Sequence, residues 1–258
     1  MNIKAQIPNL FTMLNLFSGC VALFFVSVEQ FDLAFYFVCL GIFFDFFDGF
    51  FARKFNVAGP LGVQLDSLAD MVTSGVVPGF VMFKLLALAC NQEEINYAMS
   101  HNGIGETHSS IYSYLLWLPF LGFIITLGAC YRLAKFNIDE RQSDSFIGLP
   151  TPANALFFTS LPILSSVLYD DFGFQFSYNK WLLIGLTLIS AYIMNAEIPL
   201  FSLKIKNFSF AKYKLQIFFL AVSVLMLILL KMLAVPLIII LYVLLSVINN
   251  IVTKKASV

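Results

Sequence analysis

Four aspartates stand in a stretch of sequence that is otherwise apolar. Asp45 and Asp48 are three residues apart, a spacing that puts both side chains on one face of a helix. Asp66 and Asp70 are four residues apart, and the same argument applies to them. The GPLG break at residues 59–62 would let the two helices turn back on each other. The sequence therefore predicts a helical hairpin in which four carboxylates converge.

Such a cluster of carboxylates predicts a divalent cation. Like charges brought together in a low dielectric repel each other strongly unless a cation neutralises them. Carboxylate oxygens without a neighbouring His or Cys favour hard ions, so Mg²⁺ or Mn²⁺ is expected, Ca²⁺ is the alternative and Zn²⁺ is disfavoured. Two such ions shared by four acids would leave little net charge.

The composition is that of an all-α polytopic membrane protein. Hydrophobic residues make up 60% of the 258 residues and charged residues 12%, with a mean hydropathy of +0.87. The formal net charge is zero, so no overall field attracts nucleic acid, and no nucleic-acid partner is expected. The four cysteines lie in or beside apolar runs without paired spacing, which favours packing roles over disulfides or a zinc site.

Apolar runs long enough to cross a membrane predict about eight transmembrane helices. Their expected bounds are 10–28, 33–52, 68–90, 113–134, 152–169, 181–200, 215–231 and 233–251. Pro78 and Gly79 fall inside the third run and are candidates for a kink.

Basic residues predict the orientation of these spans. Of the 15 Lys and Arg residues, twelve fall on one side of an eight-span drawing: Lys4, Arg53, Lys54, Arg132, Lys135, Arg141, Lys204, Lys206, Lys212, Lys214, Lys254 and Lys255. That side is expected to be cytoplasmic, with both termini inside. Asp45 precedes Arg53 by eight residues, about 12 Å along a helix, so the acids would lie just below the cytoplasmic surface.

Polar residues elsewhere are candidates for the same site. In the first span Asn9, Thr12, Asn15 and Gly19 form a stripe that either lines a cleft or packs helices together. Arg132, Lys135 and Asn137 follow the fourth span on the side of the acids. These charges fit an anion site, and a positive-inside anchor explains them equally well.

The acidic hairpin also resembles a known family signature. Residues 45–70 read D-x2-D-G-x2-A-R-x8-G-x3-D-x3-D, with fixed positions at Asp45, Asp48, Gly49, Ala52, Arg53, Gly62, Asp66 and Asp70. This pattern is similar to the signature of the CDP-alcohol phosphotransferases. These are integral membrane enzymes that move a substituted phosphate from a CDP-linked donor to an alcohol and release CMP.

The resemblance implies a role for each position. The four aspartates would hold a pair of divalent ions, Mg²⁺ or Mn²⁺, against the donor diphosphate, and Asp70 would be the candidate base for the acceptor hydroxyl. Gly49 and Ala52 would leave room for the nucleotide, Arg53 would assist the phosphate, and Gly62 would let the second helix approach. The implied CDP-binding set is Asp45, Asp48, Gly49, Ala52, Arg53, Gly62 and Asp66.

Segments outside the signature resemble the phosphatidylserine synthase branch of this family. They are LDSLADMVTSGVVPG, YRLAKFN and FIGLPTPANA. Thr73 and Ser74 stand where Ser-Phe is common in that branch, and Lys135 stands where Arg is common. The glycerophosphate-accepting and cardiolipin-forming branches usually carry Pro after the third acid and Lys after the fourth, whereas this chain has Ser67 and Met71. The resemblance therefore implies CDP-diacylglycerol as donor and L-serine as acceptor. Position and charge then make Arg132 or Lys135 the candidate to meet the serine carboxylate, with Asn137 as a polar neighbour.

Alternatives remain open at this stage. The acceptor could be glycerol phosphate or inositol phosphate, or the donor an archaeal-type lipid. A divalent-cation transporter would also bury acids, although the matched Gly, Ala and Arg positions have no use in a cation relay. We further expect a transferase core over residues 1–212 and an added helical hairpin over 213–258. The resemblance implies a homodimer, and the distribution of basic residues predicts an inner-membrane protein whose site faces the cytoplasm.

Overall fold

Helices account for nearly all of the chain that the structure, a computed structural model, describes. The described residues are 3–100, 116–139, 146–173, 175–201 and 214–256. The α-helices are α1 (Ile3–Ser27), α2 (Phe31–Lys54), α3 (Pro60–Asp70), α4 (Val77–Ser100), α5 (Ile124–Ile138), α6 (Thr151–Phe172), α7 (Lys180–Asn195), α8 (Lys214–Leu230) and α9 (Ala234–Ala256). A π-helix spans Met71–Val76, and 3₁₀ helices span Leu118–Phe123, Phe176–Tyr178 and Lys231–Leu233. Two short strands, β1 (Phe146–Ile147) and β2 (Pro199–Leu200), pair antiparallel.

Most of these helices suit a membrane by length and composition. Within the described residues six stretches qualify: Gln6–Ser27, Phe31–Lys54, Pro60–Glu93, Leu118–Ile138, Thr151–Asp171 and Lys214–Val252. The last stretch comprises α8 and α9, and α7 is apolar but has only 16 residues. The structure is thus that of an all-α polytopic membrane protein. The count of eight spans and the side on which the termini lie stay predictions.

Several predicted helix ends differ from those of the structure; α1, for example, begins at Ile3 rather than near residue 10. The third helix begins at Pro60 rather than near residue 68, because proline fits the first turn, where its missing N–H costs no hydrogen bond. The break between the acid pairs is therefore confined to the turn at residues 55–59. The sixth span was predicted to reach residue 200, but α7 ends at Asn195 and Pro199 begins β2. Proline disfavours helical backbone at the residue before it, which explains the early end.

A π-helix interrupts the long helical stretch from Pro60 to Glu93. Within Met71–Val76 the turn is wider than in an α-helix, and the backbone N–H of Val77 donates to the carbonyl of Val72, five residues back. Pro78 follows directly, at the second position of α4. A proline ring clashes with the carbonyl four residues before it in a regular α-helix. The irregularity expected around Pro78 is thus a change of helix type just before that residue.

Small residues let this π-helix insert between α1 and α2. Thr73 is fully buried against Gly19 of α1 and Gly41 of α2. A Cβ on Gly41 would lie 2.7 Å from Thr73 Cγ2 and 2.9 Å from Asn15 Oδ1, which is closer than real contacts allow. Glycine at this position therefore permits the close approach that brings the acids of α3 to α1.

Candidate active site

Three of the four predicted carboxylates meet between α2 and α3. Asp45, Asp48 and Asp66 each offer an oxygen, and these oxygens all lie within 4.8 Å of one another. Asp48 is buried, whereas Asp45 and Asp66 are half-buried. The turn at residues 55–59 reverses the chain, so that α3 packs against α1 and brings Asp66 to the acids of α2. The sequence prediction of a converging acidic cluster is confirmed for these three residues.

Asp70, the fourth acid, lies beside this group and is held by α1. Its Oδ1 accepts a hydrogen bond from Asn15 Nδ2 at 3.1 Å. Its carboxylate also interacts electrostatically with Asp66, one helical turn earlier, and with Arg132. Asp70 is therefore next to the cluster but has its own polar partner.

The donor set of the cluster fits a hard divalent cation. One oxygen of Asp66, Oδ1, is buried and has no hydrogen-bond partner in the structure. A buried carboxylate oxygen without a partner is costly, and a cation would satisfy it. The group contains oxygen ligands and no His or Cys, which suits Mg²⁺ or Mn²⁺ better than Zn²⁺.

The polar stripe of α1 supports these acids directly. Thr12 Oγ1 lies 2.7 Å from Asp48 Oδ2, to which it can donate, and Asn15 donates to Asp70. Thr12 and Asn15 are both buried. Gly19, one turn further along, packs against Thr73 instead. Both interpretations of the stripe are therefore correct. Thr12 and Asn15 line the cleft that holds the acids, whereas Gly19 serves helix packing.

A cavity of about 320 Å³ adjoins the cluster. It lies between the start of α1, the end of α2 and the start of α3. Six of the seven residues implied for CDP binding line it: Asp48, Gly49, Ala52, Arg53, Gly62 and Asp66. Asn9 and Thr12 of α1 complete its polar wall. The seventh implied residue, Asp45, belongs to the carboxylate group and not to this lining.

The two glycines of the cavity differ in their surroundings. A Cβ on Gly49 would lie 3.2 Å from Arg53 Nη1, so Gly49 lets the guanidinium lie close to the helix. A Cβ on Gly62 would find only Asn9 Oδ1, at 4.0 Å. The expectation that Gly62 permits close approach of a helix is therefore wrong, and its missing side chain keeps the cavity open instead.

Arg132 brings a positive charge towards Asp70 from α5. Arg132 is only 7% exposed, and its Nε has no hydrogen-bond partner. Nη2 makes a long contact of 3.5 Å with the carbonyl oxygen of Gly148. The guanidinium interacts electrostatically with Asp70. A buried guanidinium with unused hydrogen-bonding capacity is a candidate anion-binding group.

The other two predicted acceptor residues have different partners. Lys135 Nζ lies 3.7 Å from Glu197 Oε1, in a pair in which Lys135 is half-buried and Glu197 is exposed. Asn137 Nδ2 donates to Ser67 Oγ at 2.9 Å, which connects the end of α5 to the residue next to Asp66. Of these three residues, Arg132 has the most buried position.

Sequence reasoning missed the contribution of Thr73. Its hydroxyl donates to the backbone carbonyl of Asn15 at 3.1 Å and so fixes the residue that holds Asp70. The available signal was its spacing, since Thr73 follows Asp70 by three residues and shares its helix face.

Known proteins share this sequence pattern. The sequence model of the CDP-alcohol phosphatidyltransferase family matches residues 5–192. A CDP-diacylglycerol–serine O-phosphatidyltransferase of Helicobacter pylori (strain J99) is 30% identical over 215 residues, which cover 83% of this chain and 77% of that protein. A protein of the same name from Bacillus subtilis (strain 168) is 32% identical over 170 residues, covering 62% of this chain and 80% of that protein.

A relative with another acceptor in its name matches a shorter part. The CDP-diacylglycerol–glycerol-3-phosphate 3-phosphatidyltransferase of Aquifex aeolicus (strain VF5) is 37% identical over 82 residues, which cover 32% of this chain and 42% of that protein. The family match spans α1 to α7, including the acidic group, the cavity and Arg132. On this evidence the chain belongs to the CDP-alcohol phosphatidyltransferase family.

Proposed function

We propose that this protein is a phosphatidylserine synthase, which transfers the phosphatidyl group from CDP-diacylglycerol to L-serine and releases CMP. The observation that best supports the proposal is the position of Asp70 between two features of the site. On one side are the carboxylate group and the cavity, and on the other is the buried guanidinium of Arg132. The names of the relatives that match most of the chain support serine as acceptor.

The donor half of the site consists of the cavity and the acids. The cytidine nucleotide occupies the cavity, where Gly49, Ala52 and Gly62 leave space and Arg53 meets a phosphate. Asp45, Asp48, Asp66 and Asp70 hold two divalent ions, Mg²⁺ or Mn²⁺. These ions supply neutralisation of the diphosphate charge and stabilisation of the leaving CMP.

The acceptor half consists of Arg132 and Asp70. Arg132 binds the serine carboxylate through its guanidinium, a group suited to planar anions. Asp70 takes the proton of the serine hydroxyl as the serine oxygen forms a bond to the phosphorus of the phosphatidyl group. The bond between that phosphorus and the CMP oxygen breaks, and CMP leaves. Lys135 and Asn137 are polar neighbours of this site.

The proposal includes a location and an assembly. The site lies at the cytoplasmic face of the inner membrane, at the depth of lipid headgroups, with acyl chains in the bilayer and serine entering from the cytosol. Eight spans place both termini in the cytoplasm, with residues 1–212 as the transferase core and 213–258 as an added hairpin. The enzyme is a homodimer.

An assay of the purified full-length protein tests the proposed reaction. CDP-diacylglycerol is supplied with serine, glycerol phosphate or inositol phosphate in turn, with and without a chelator, and labelled lipid products and CMP are measured. We expect phosphatidylserine and CMP in equal amounts, only with Mg²⁺ or Mn²⁺. Incorporation of another alcohol in place of serine would overturn the acceptor assignment. Metal flux into vesicles without CMP release would overturn the transferase proposal.

A further inference from the structure

The C-terminal helices α8 and α9 lie outside the family match, which ends at residue 192. α9 nevertheless carries a buried tyrosine, Tyr242, in the interior of the protein. Its ring packs against Phe201 and Phe219, with centroid distances of 4.9 and 5.6 Å. Phe201 follows β2 and Phe219 belongs to α8. The three rings therefore join both C-terminal helices to the strand pair.

Hydrogen bonds continue from this aromatic cluster towards the proposed acceptor site. The hydroxyl of Tyr242 donates to the carbonyl of Phe201 at 3.0 Å, directly after β2. Next to the strand pair, the N–H of Gly148 donates to the carbonyl of Ile198 at 2.9 Å. The carbonyl of Gly148 is the one that Arg132 Nη2 contacts. These hydrogen bonds, joined by the backbone of residues 198–201, therefore connect α9 to the guanidinium.

The backbone at Gly148 leaves little freedom in this path. Its φ is +73°, a value that favours glycine, and a Cβ there would clash with the carbonyl oxygen of Met194. Asn250, two turns after Tyr242 on α9, donates to the carbonyl of Pro199 in β2 at 2.6 Å. Side chains of α9 therefore bond to the backbone at both Pro199 and Phe201. A shift of α9 would move the strand pair and with it the Gly148 carbonyl that Arg132 contacts.

Arg132 depends on this strand pair because its guanidinium makes few hydrogen bonds. Arg132 and Tyr242 are both buried. Arg132 Nε has no hydrogen-bond partner, and Nη2 contacts the carbonyl of Gly148. A change in the position of the strand pair would therefore change the position of the guanidinium.

We propose that Tyr242 is a positioning residue for Arg132, and that the α8–α9 hairpin thereby stabilises the acceptor site. The inference rests on the proposed function, in which Arg132 receives the carboxylate of the acceptor. Tyr242 does not touch the substrate. It holds the guanidinium in the orientation that the acceptor requires, through the hydrogen bond of its hydroxyl to Phe201 and through the strand pair.

Steady-state kinetics of Tyr242→Phe test this role. The variant keeps the ring packing and removes the hydroxyl. We expect the KM for serine to rise about five- to tenfold, the loss expected for one hydrogen-bonding group. The KM for CDP-diacylglycerol should stay within twofold of the wild-type value. Ser246→Ala is the matched control, because the Ser246 hydroxyl bonds only to its own helix, at the carbonyl of Tyr242, and its loss should change neither KM.

A packing variant separates positioning from general stability. Phe219→Leu weakens the aromatic cluster without removing the Tyr242 hydroxyl. It should lower the melting temperature more than Tyr242→Phe does, with a smaller change in the KM for serine. If Phe219→Leu and Tyr242→Phe raise that KM in proportion to lost stability, Tyr242 has only a structural role and the proposal is wrong.

A double-mutant cycle with Arg132→Lys distinguishes this inference from the proposed function. If Tyr242 acts through Arg132, the double variant should be little worse for serine than Arg132→Lys alone, since effects of coupled residues are not additive. Additive effects, or an unchanged serine KM in Tyr242→Phe, would overturn the inference while leaving Arg132 as the acceptor group. An unchanged serine KM in Arg132→Lys would remove the acceptor assignment, and the inference would fall with it.

Discussion

Asn15 of α1 donates a hydrogen bond from Nδ2 to Oδ1 of Asp70 on α3, at 3.1 Å, although the two residues are 55 positions apart in sequence. Asn15 is fully buried, and its backbone carbonyl accepts a hydrogen bond from Thr73. Thr73 thus holds Asn15 in place, and Asn15 in turn fixes the orientation of Asp70. This arrangement is what a carboxylate needs if it is to receive a proton in one defined direction.

Asn15→Ala should lower kcat for CMP release roughly 10- to 100-fold, the range seen when a partner of a metal-site residue is removed. Asp70 would remain in place but would lose its donor. The measurement is CMP release at saturating CDP-diacylglycerol and serine. Ser18→Ala is the control on the same helix, because the Ser18 hydroxyl bonds to the carbonyl of Leu14 within α1. Equal losses in both variants would contradict the specific role of Asn15.

Asp70→Asn should reduce kcat by roughly 10² to 10⁴, the usual contribution of a general base, while the protein still inserts into the membrane. The amide keeps the size of the side chain but cannot take a proton from serine. Initial rates of labelled phosphatidylserine formation give the result. Asp32→Asn, at the opposite end of α2 from the acidic group, should leave the rate unchanged. A fully active Asp70→Asn enzyme would exclude Asp70 as the base.

Divalent ions should stabilise the protein through Asp45, Asp48 and Asp66. Binding to the folded state at 100 times Kd adds about 2.7 kcal/mol to the free energy of unfolding. Mg²⁺ or Mn²⁺ should therefore raise the melting temperature of the wild type in detergent, without any substrate present. Asp66→Asn should lose most of this increase, because it removes ligand charge at the oxygen that lacks a partner. An equal increase in both proteins would place the ions elsewhere.

Filling the cavity at Gly62 should weaken donor binding selectively. Gly62→Val adds a side chain where only Asn9 Oδ1 lies within 4.0 Å, so the fold should tolerate it. We expect the KM for CDP-diacylglycerol to rise about tenfold, equivalent to about 1.4 kcal/mol, while the KM for serine changes little. Gly185→Val on α7, where a Cβ also meets nothing within 4 Å, is the control. Unchanged donor kinetics in Gly62→Val would show that the nucleotide does not use this cavity.

Thr73→Val should destabilise the protein by about 1 kcal/mol, because it removes the hydrogen bond from the Thr73 hydroxyl to the carbonyl of Asn15 at nearly constant volume. Thr73→Ser retains the hydroxyl and should keep the hydrogen bond. Thermal unfolding of both variants, together with their CMP release, gives the comparison. If Thr73→Ser were the less active of the two, the methyl group rather than the hydroxyl would be the important part of Thr73.

The acidic hairpin could be predicted from the sequence because its information is local. Asp45 and Asp48 are three residues apart and share one face of their helix. Once the turn is recognised, that face is expected to meet the face of the next helix that carries Asp66. The cavity lining at Gly49 and Ala52 was predicted only through the resemblance to the family signature, which implies room for a nucleotide at these two positions.

The contacts that orient the site could not be predicted, because they join residues far apart in sequence. The helical spacing of polar residues placed Asn15 on a stripe of the first span, but it did not predict that Asn15 contacts Asp70. Tyr242 lies in one of the most apolar parts of the chain, and nothing in its neighbourhood distinguishes it from a residue that faces lipid. The early end of α7 was missed because the run of apolar residues continues past the point where Pro199 changes the backbone.

The π-helix at Met71–Val76 sets the angle between the two halves of the third membrane stretch. In an α-helix each residue turns the chain by about 100°, so the direction of Asp70 would dictate the direction of Gly79. The wider turn between them changes this relation. Asp70 faces the polar residues of α1, while Gly79 packs closely on Thr126 of α5. The local widening of one turn therefore links the direction of the acid to the packing of the second half on α5.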